Sequence, residues 1–143
     1  WMPLKKELVI IGGDLVGLEL AEFLTERGKK VTVVEPSNDL GPNLSIVRRS
    51  RVIHLLKSHG VKIIKNAKDI KISNSDVNFE LDGSPQSITA NQVIIAMGTE
   101  PNTEFADELI ENNFNVSMIG DCTSVGYIEG AISDARIAVK EIV

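Results

Sequence analysis

The fold is decided by one stretch near the start of the chain, Val9-Ile10-Ile11-Gly12-Gly13-Asp14-Leu15-Val16-Gly17-Leu18-Glu19. It begins with apolar, β-branched residues, which are typical of a buried parallel strand. A helical pattern begins near its end and continues past it. The apolar face of this helix is predicted at Val16, Leu20, Phe23 and Leu24. A turn rich in glycine lies between the two. The stretch therefore predicts a strand, a tight turn and a helix.

The order of glycines in this turn matches a dinucleotide-binding fingerprint with one exception. Gly12 fills the first glycine position, which permits the tight turn, and Gly17 fills the third, where the helix packs close to the strand. The amides at the start of the helix would then meet a pyrophosphate. The turn contributes six predicted cofactor-binding residues: Gly12, Gly13, Asp14, Leu15, Val16 and Gly17.

Asp14 is the exception, because it stands at the second glycine position, where the backbone normally approaches the pyrophosphate. At about 4 Å and an effective dielectric constant of about 20, two like charges cost about 4 kcal/mol. That cost corresponds to about a thousandfold in affinity. It is avoided if Asp14 turns away or is protonated. An aspartate at a helix start is also a common capping residue, so Asp14 could stabilise the fold while weakening the site.

Glu35 provides a second signal, because it ends the next predicted strand about 20 residues after the turn. An acidic side chain there accepts hydrogen bonds from the hydroxyls of an adenine ribose and repels a 2′-phosphate. Glu35 is therefore a predicted cofactor-binding residue, and it favours NAD over NADP. The alternative is a solvated glutamate at a strand end.

The remaining pattern places the chain in the α/β class, as a Rossmann-like parallel sheet flanked by helices with an inserted antiparallel β-meander. Parallel strands are predicted at 8–11, 31–34, 61–64 and 93–96, with a helix at 46–58 capped by Ser45. The meander is predicted at 68–73, 76–82 and 86–90. A helical turn at 107–111, a last strand at 116–119 and a helix at 128–143 complete the prediction.

Composition narrows the function further. The 143 residues carry a net charge of −5, without the basic patch that nucleic-acid binding needs. No apolar run is long enough to span a membrane. Cys122 is the one cysteine, so no internal disulfide or cysteine cluster forms, and with His54 and His59 alone a metal site is not expected. We predict a cytoplasmic protein with no catalytic side chain of its own.

Three motifs in order carry a family resemblance: the turn with its continuation to Ala21, the segment Ala96-Met97-Gly98-Thr99-Glu100-Pro101-Asn102, and Ile119-Gly120-Asp121-Cys122. Together they resemble the NAD(P)H-binding domain of the two-dinucleotide-binding flavoproteins, the pyridine nucleotide-disulfide oxidoreductase-like proteins. Their spacing is most similar to the C-terminal region of NADH:flavin oxidoreductases of the 2,4-dienoyl-CoA reductase and trimethylamine dehydrogenase type.

The resemblance implies an NAD(H)-binding fragment, residues 1–103, that positions nicotinamide for hydride transfer to a flavin bound elsewhere in the parent protein. Residues 104–143 would belong to the tail of the flavin domain. Gly98 would shape the crossover between the domains, and Asp121 would approach the FAD or FMN of the parent. The flavin domains are then the expected partners, and the exposed last strand and helix could also self-associate. The alternatives are a degenerate structural domain or a site for another ligand, such as ADP or an acyl-CoA moiety.

Overall fold

The computed structural model of the protein describes residues 3–142, and of Ile142 only the backbone. The chain divides after Gly98 into two compact units. This division lies five residues before the predicted domain boundary at 103/104, which concerns the parent protein and stays a prediction. The first unit holds seven strands and two helices: β1 Glu7–Ile11, α1 Leu15–Glu26, β2 Lys30–Val34, α2 Ile46–Ser58, β3 Lys62–Ile64, β4 Lys68–Ile72, β5 Asp76–Leu81, β6 Ser84–Thr89 and β7 Val93–Ile95.

Four of these strands form a parallel sheet in the order β3-β2-β1-β7. Ile10 of β1 lies between Val33 of β2 and Ile94 of β7. Strands that are parallel need crossover connections, and α1 and α2 supply two of them. The predicted α/β class with a Rossmann-like parallel sheet is confirmed.

The inserted meander is a separate antiparallel sheet in the order β4-β5-β6. Its second turn is formed by Asp82 and Gly83, both with positive φ, at +50° and +74°. Two consecutive left-handed residues suit the tight hairpin that joins antiparallel strands. The predicted meander is confirmed, with β6 beginning two residues earlier than the sequence pattern indicated.

The strand β1 is buried on both faces, as expected for the centre of a covered parallel sheet. Leu8 and Ile10 belong to a core formed with α1 and α2. Val9 and Ile11 point to the opposite side, where the core includes Val77 of the meander. The meander therefore covers one face of the sheet that carries the glycine turn.

The buried face of α1 differs from the prediction. Leu24 is buried as predicted, but Val16 is 60% exposed and Phe23 47% exposed. The buried residues are Gly17, Leu18, Ala21 and Leu24. The face is centred on Gly17 and Ala21 because the helix comes closest to the sheet where side chains are smallest. Phe23 instead lies under the guanidinium of Arg27, 3.5 Å from the ring centre.

The second unit contains two helices, α3 Glu104–Glu111 and α4 Tyr127–Ile142, with a 3-10 turn at Gly120–Cys122. The helical turn predicted at 107–111 is thus the end of a helix that begins three residues earlier. Val143, the predicted last residue of the C-terminal helix, lies outside the described residues. None of the helices in the described part of the chain is both long and apolar enough to cross a bilayer.

The strand predicted at 116–119 is wrong, because these residues form no β-ladder in the structure. A strand requires a neighbouring extended segment to bond its amides and carbonyls. Among residues 99–142 the regular elements are all helical. The apolar, β-branched pattern therefore lacks a pairing partner within this unit.

Candidate functional site

The glycine turn lies where three strands of the parallel sheet end. Gly12 follows β1 directly, and its amide donates a hydrogen bond of 2.8 Å to the carbonyl of Val34 at the end of β2. Its φ is +109°, and a methyl group at this position would overlap the carbonyl of Ala96 after β7. Ligands of open α/β sheets bind at this carboxyl edge. The backbone conformation and the lack of space both require glycine at residue 12.

Gly17 performs the packing role expected of the third glycine. A methyl group there would overlap the carbonyl oxygen of Gly12. The first turn of α1 therefore lies directly against the turn that precedes it. This contact fixes the direction in which the amino end of α1 points.

Glu35 holds the turn together through both oxygens of its carboxylate. Oε2 accepts a hydrogen bond from the Gly13 amide at 2.6 Å, and Oε1 accepts one from the Ser37 amide at 2.7 Å. Bonds to a charged acceptor are the stronger kind. Each oxygen still has a second lone pair, so Glu35 can accept a ligand hydroxyl while it holds the backbone. The alternative of a merely solvated glutamate does not describe these contacts.

Asp14 occupies the N-cap position of α1, but within the described chain its side chain makes no capping hydrogen bond. The expectation that Asp14 caps the helix is therefore wrong. Its carboxylate is instead engaged by Asn43, whose side-chain amide donates to Oδ2 at 2.6 Å and whose backbone amide lies 3.5 Å from Oδ1. The Asn43 contacts leave the first-turn amides of α1 without a bond from Asp14.

At α2, the predicted capping hydrogen bond of Ser45 is likewise missing among the described residues. Ser45 stands at the N-cap position predicted for it, yet its hydroxyl makes no capping bond to the described residues. Position alone predicted the helix start correctly, but not the side-chain hydrogen bond.

A cleft of about 210 Å³ opens beside the turn. Its walls combine predicted site residues with residues that sequence reasoning missed: Gly12, Asp14, Glu35, Ser37, Asp39, Pro42, Ala96, Met97 and Gly98. Ligand pockets usually measure roughly 300 Å³ or more, so this cleft is small for a whole ligand. Three carboxylates at its edge make it acidic.

The structure brings Gly12, Asp14, Glu35 and Gly98 together at this cleft. The other predicted turn residues, Gly13, Leu15, Val16 and Gly17, adjoin it in sequence but do not line it. Ser37, Asp39 and Pro42 come from the loop between β2 and α2. Because this loop follows a parallel strand, it lies at the carboxyl edge of the sheet, and that position could have indicated a place in the site. Asn43 gave no signal, because its pairing with Asp14 depends on a fold contact between residues distant in sequence.

Asp121 lies in the second unit and has a structural partner there. Its Oδ1 accepts hydrogen bonds of 3.0 Å from the backbone amides of Gly126 and Tyr127, where α4 begins. The preceding Gly120 donates its amide to Asp134 at 3.0 Å. Asp121 therefore stabilises the start of α4, and its approach to a flavin stays a prediction.

Comparison with known proteins agrees with this geometry. Residues 1–141 match the model of the family described as pyridine nucleotide-disulphide oxidoreductase. The chain belongs to this family. A bilirubin reductase of Mediterraneibacter gnavus is 31% identical over 134 residues, which are 93% of this chain and 21% of that protein. An NADH oxidase of Thermoanaerobacter brockii is 32% identical over 130 residues, which are 90% of this chain and 20% of the oxidase.

Solved structures of other proteins share this fold. 2-Naphthoyl-CoA reductase superposes with a TM-score of 0.82 at 27% identity, over 93% of this chain and 20% of that one. The 6-hydroxypseudooxynicotine amine oxidase of Pseudomonas geniculata N1 gives 0.80 at 26% identity, over 94% and 22%. The predicted family is confirmed, and the chain spans about a fifth of these relatives.

Proposed function

We propose that this pyridine nucleotide-disulphide oxidoreductase chain is an NAD(H)-binding module, which positions nicotinamide for hydride transfer to a flavin held elsewhere in the parent protein. The observation that carries the proposal is the cleft at the carboxyl edge of the sheet, where the glycine turn is held by Glu35. The cofactors supply the redox chemistry when bound, and the protein supplies binding and orientation.

The chain offers a distinct group for each part of the ligand. The amides of Leu15, Val16 and Gly17 begin α1, and helix-start amides bind a pyrophosphate through their N–H groups and the helix dipole. The free lone pairs of Glu35 would accept the ribose hydroxyls. No side chain has to act as an acid or base, because hydride transfer needs position and not proton transfer.

The acidic edge of the cleft favours NAD over NADP. Asp14, Glu35 and Asp39 all line it, Asp39 being paired with Arg49 at 3.3 Å. A 2′-phosphate beside Asp14 and Glu35 would meet like charges. We therefore expect NADH to bind more tightly than NADPH, with the difference shrinking as salt screens the charges.

Isothermal titration of the purified chain with NADH tests the proposal. Saturable binding is expected, weakened by Glu35→Ala, while Glu26→Ala at the exposed end of α1 serves as the matched control. The variant Glu35→Gln keeps one acceptor and should fall between the two. The absence of any heat with the wild-type chain at millimolar NADH would contradict the proposal.

A second candidate function is favoured by one observation, the carboxylate of Asp14 at the cleft. In this alternative the chain is a structural domain that has lost dinucleotide binding. ADP or an acyl-CoA moiety is a further alternative that the fold allows but that Asp14 does not favour, because both ligands also carry a pyrophosphate. Titration with each ligand separates these choices. NADH binding that appears only after Asp14→Gly would support the structural alternative.

The proposal extends to partners in the parent protein. Several apolar residues of α4 are exposed, and three of them lie on one side of the helix: Ile128, Ile132 and Val139. A contiguous apolar face of this kind marks a protein contact. We propose that the flavin domains of the parent cover it and that a second copy can cover it when the chain is alone. The single cysteine and the acidic charge fit a cytoplasmic protein without a nucleic-acid partner.

A further inference from the structure

The loop between β2 and α2 is attached to the glycine turn at two points. The backbone amide of Gly41 donates a 2.8 Å hydrogen bond to the carbonyl of Gly13. The side-chain amide of Asn43 donates a 2.6 Å bond to the carboxylate of Asp14. The two attachment points enclose Pro42, and Pro42 lines the candidate cleft. One wall of the cleft is therefore held by the residue that breaks the glycine fingerprint.

The first attachment point is well packed. Gly41 has a φ of +56°, and a methyl group added to it would lie 2.7 Å from Leu44 and 3.0 Å from Leu18. The neighbouring Leu40 is 6% exposed. This end of the loop is fixed by the core.

The second attachment point is itself exposed, although the next residue, Leu44, packs against the core. Asn43 and Pro42 are exposed, and Asp14 is half-buried. The amide–carboxylate contact is thus the polar anchor at this end. A hydrogen bond to a charged acceptor is stronger than one to a neutral acceptor, so this contact adds to the packing of Leu44 in positioning the short loop.

We infer that Asp14 is a positioning residue, and that its pairing with Asn43 holds Pro42 as a wall of the nucleotide cleft and keeps the carboxylate turned toward the loop, which reduces its repulsion of a pyrophosphate. This inference rests on the proposed function. It explains how an acidic residue can occupy the second glycine position without abolishing binding, because the contact holds the carboxylate, which keeps its negative charge, on the loop.

The test is a double-mutant cycle read by NADH titration. Asn43→Ala removes the loop anchor and frees the carboxylate, so it should weaken NADH binding about tenfold. Asp14→Asn keeps an acceptor for Asn43 and removes the charge, so affinity should stay the same or rise. In the Asp14→Asn background, Asn43→Ala should cost less than it does alone, since only the loop anchor is lost. If Asn43→Ala lowers NADH affinity equally in the wild-type and the Asp14→Asn background, the part of the inference that concerns charge is overturned.

Two further variants make the cycle specific. The reversed pair, Asp14→Asn with Asn43→Asp, restores an amide–carboxylate contact and should recover affinity relative to Asn43→Ala. Asn38→Ala is the matched control, because Asn38 lies in the same loop but accepts its hydrogen bonds from Lys65. Failure of the reversed pair to recover any affinity, or an equal loss in Asn38→Ala, would overturn the inference.

Amide hydrogen exchange of the ligand-free chain separates this inference from the proposed function. Asn43→Ala should raise exchange within residues 41–44 and leave the β1–β2 core protected. Unchanged exchange in the loop would overturn the inference, whether or not NADH binds. If Asn43→Ala raises exchange in the loop as expected but the wild-type chain binds no NADH, only the proposed function is contradicted.

Discussion

At residue 17 the backbone of α1 comes so close to the Gly12 carbonyl that the space for a side chain is already filled. The same closeness brings the first-turn amides to the carboxyl edge of the sheet. Asp14, three residues earlier, acts through its side chain instead, because its carboxylate accepts the hydrogen bond of Asn43 in the loop. Residues of one motif thus differ in whether their side-chain volume, backbone conformation or charge matters.

This difference predicts the effect of adding one methyl group. Gly17→Ala should lower the free energy of unfolding by about 2–3 kcal/mol, because a close-packed backbone contact must open. Gly130→Ala is the matched control, since Gly130 also lies in a helix and an added methyl group meets no atom within 4 Å there. It should leave stability unchanged or raise it by up to about 1 kcal/mol. Urea denaturation followed by far-UV circular dichroism measures both, and equal losses would contradict the packing explanation.

At the scale of elements, helix starts divide into those with a side-chain cap and those without. Asp121 accepts two backbone amides at the start of α4, whereas Ser45 makes no such bond at α2 among the described residues. The residue directly before α2 makes no cap within the described chain, whereas the cap of α4 comes from a residue six positions before the helix begins.

Alanine substitution should reveal the difference. Asp121→Ala should destabilise α4 by about 1 kcal/mol, the usual effect of losing a cap. Ser45→Ala should cost less than half as much, because no side-chain bond is lost. Thermal unfolding of the two variants, compared with the wild-type chain, measures the difference. A larger loss for Ser45→Ala would show that the capping assignment is wrong.

The elements of the first unit could be predicted because their signals are local. The run Val9–Ile11, the glycine turn and the periodicity of α2 each specify structure within a few residues. The strand expected at 116–119 failed because pairing needs a partner that a local pattern cannot show. The Asp14–Asn43 contact was equally hidden, since it joins residues 29 positions apart. Of the residues that line the candidate cleft, Gly12, Gly98 and Glu35 could be predicted from local motifs, but the loop that completes its wall could not.

At the scale of the whole molecule, the chain spans about a fifth of most relatives described above. A module that only binds and orients NADH should show no turnover with an artificial electron acceptor until flavin is supplied. Steady-state oxidation of NADH, followed by absorbance with and without added FAD or FMN, measures this. Rapid oxidation in the absence of flavin would contradict the proposed division of labour.

The exposed face of α4 leads to a last prediction about assembly. Ile132 and Val139 lie in an apolar patch with Ala135, and apolar area of this kind drives association when its usual cover is missing. Sedimentation equilibrium should show concentration-dependent association of the wild-type chain, weakened by Ile132→Lys. Ser133→Lys adds the same charge at an exposed neighbouring position outside the patch and should leave association unchanged. If both variants behave alike, net charge and not the apolar face controls assembly. If the wild-type chain stays monomeric throughout, self-association is excluded, and the patch is left to the flavin domains of the parent protein.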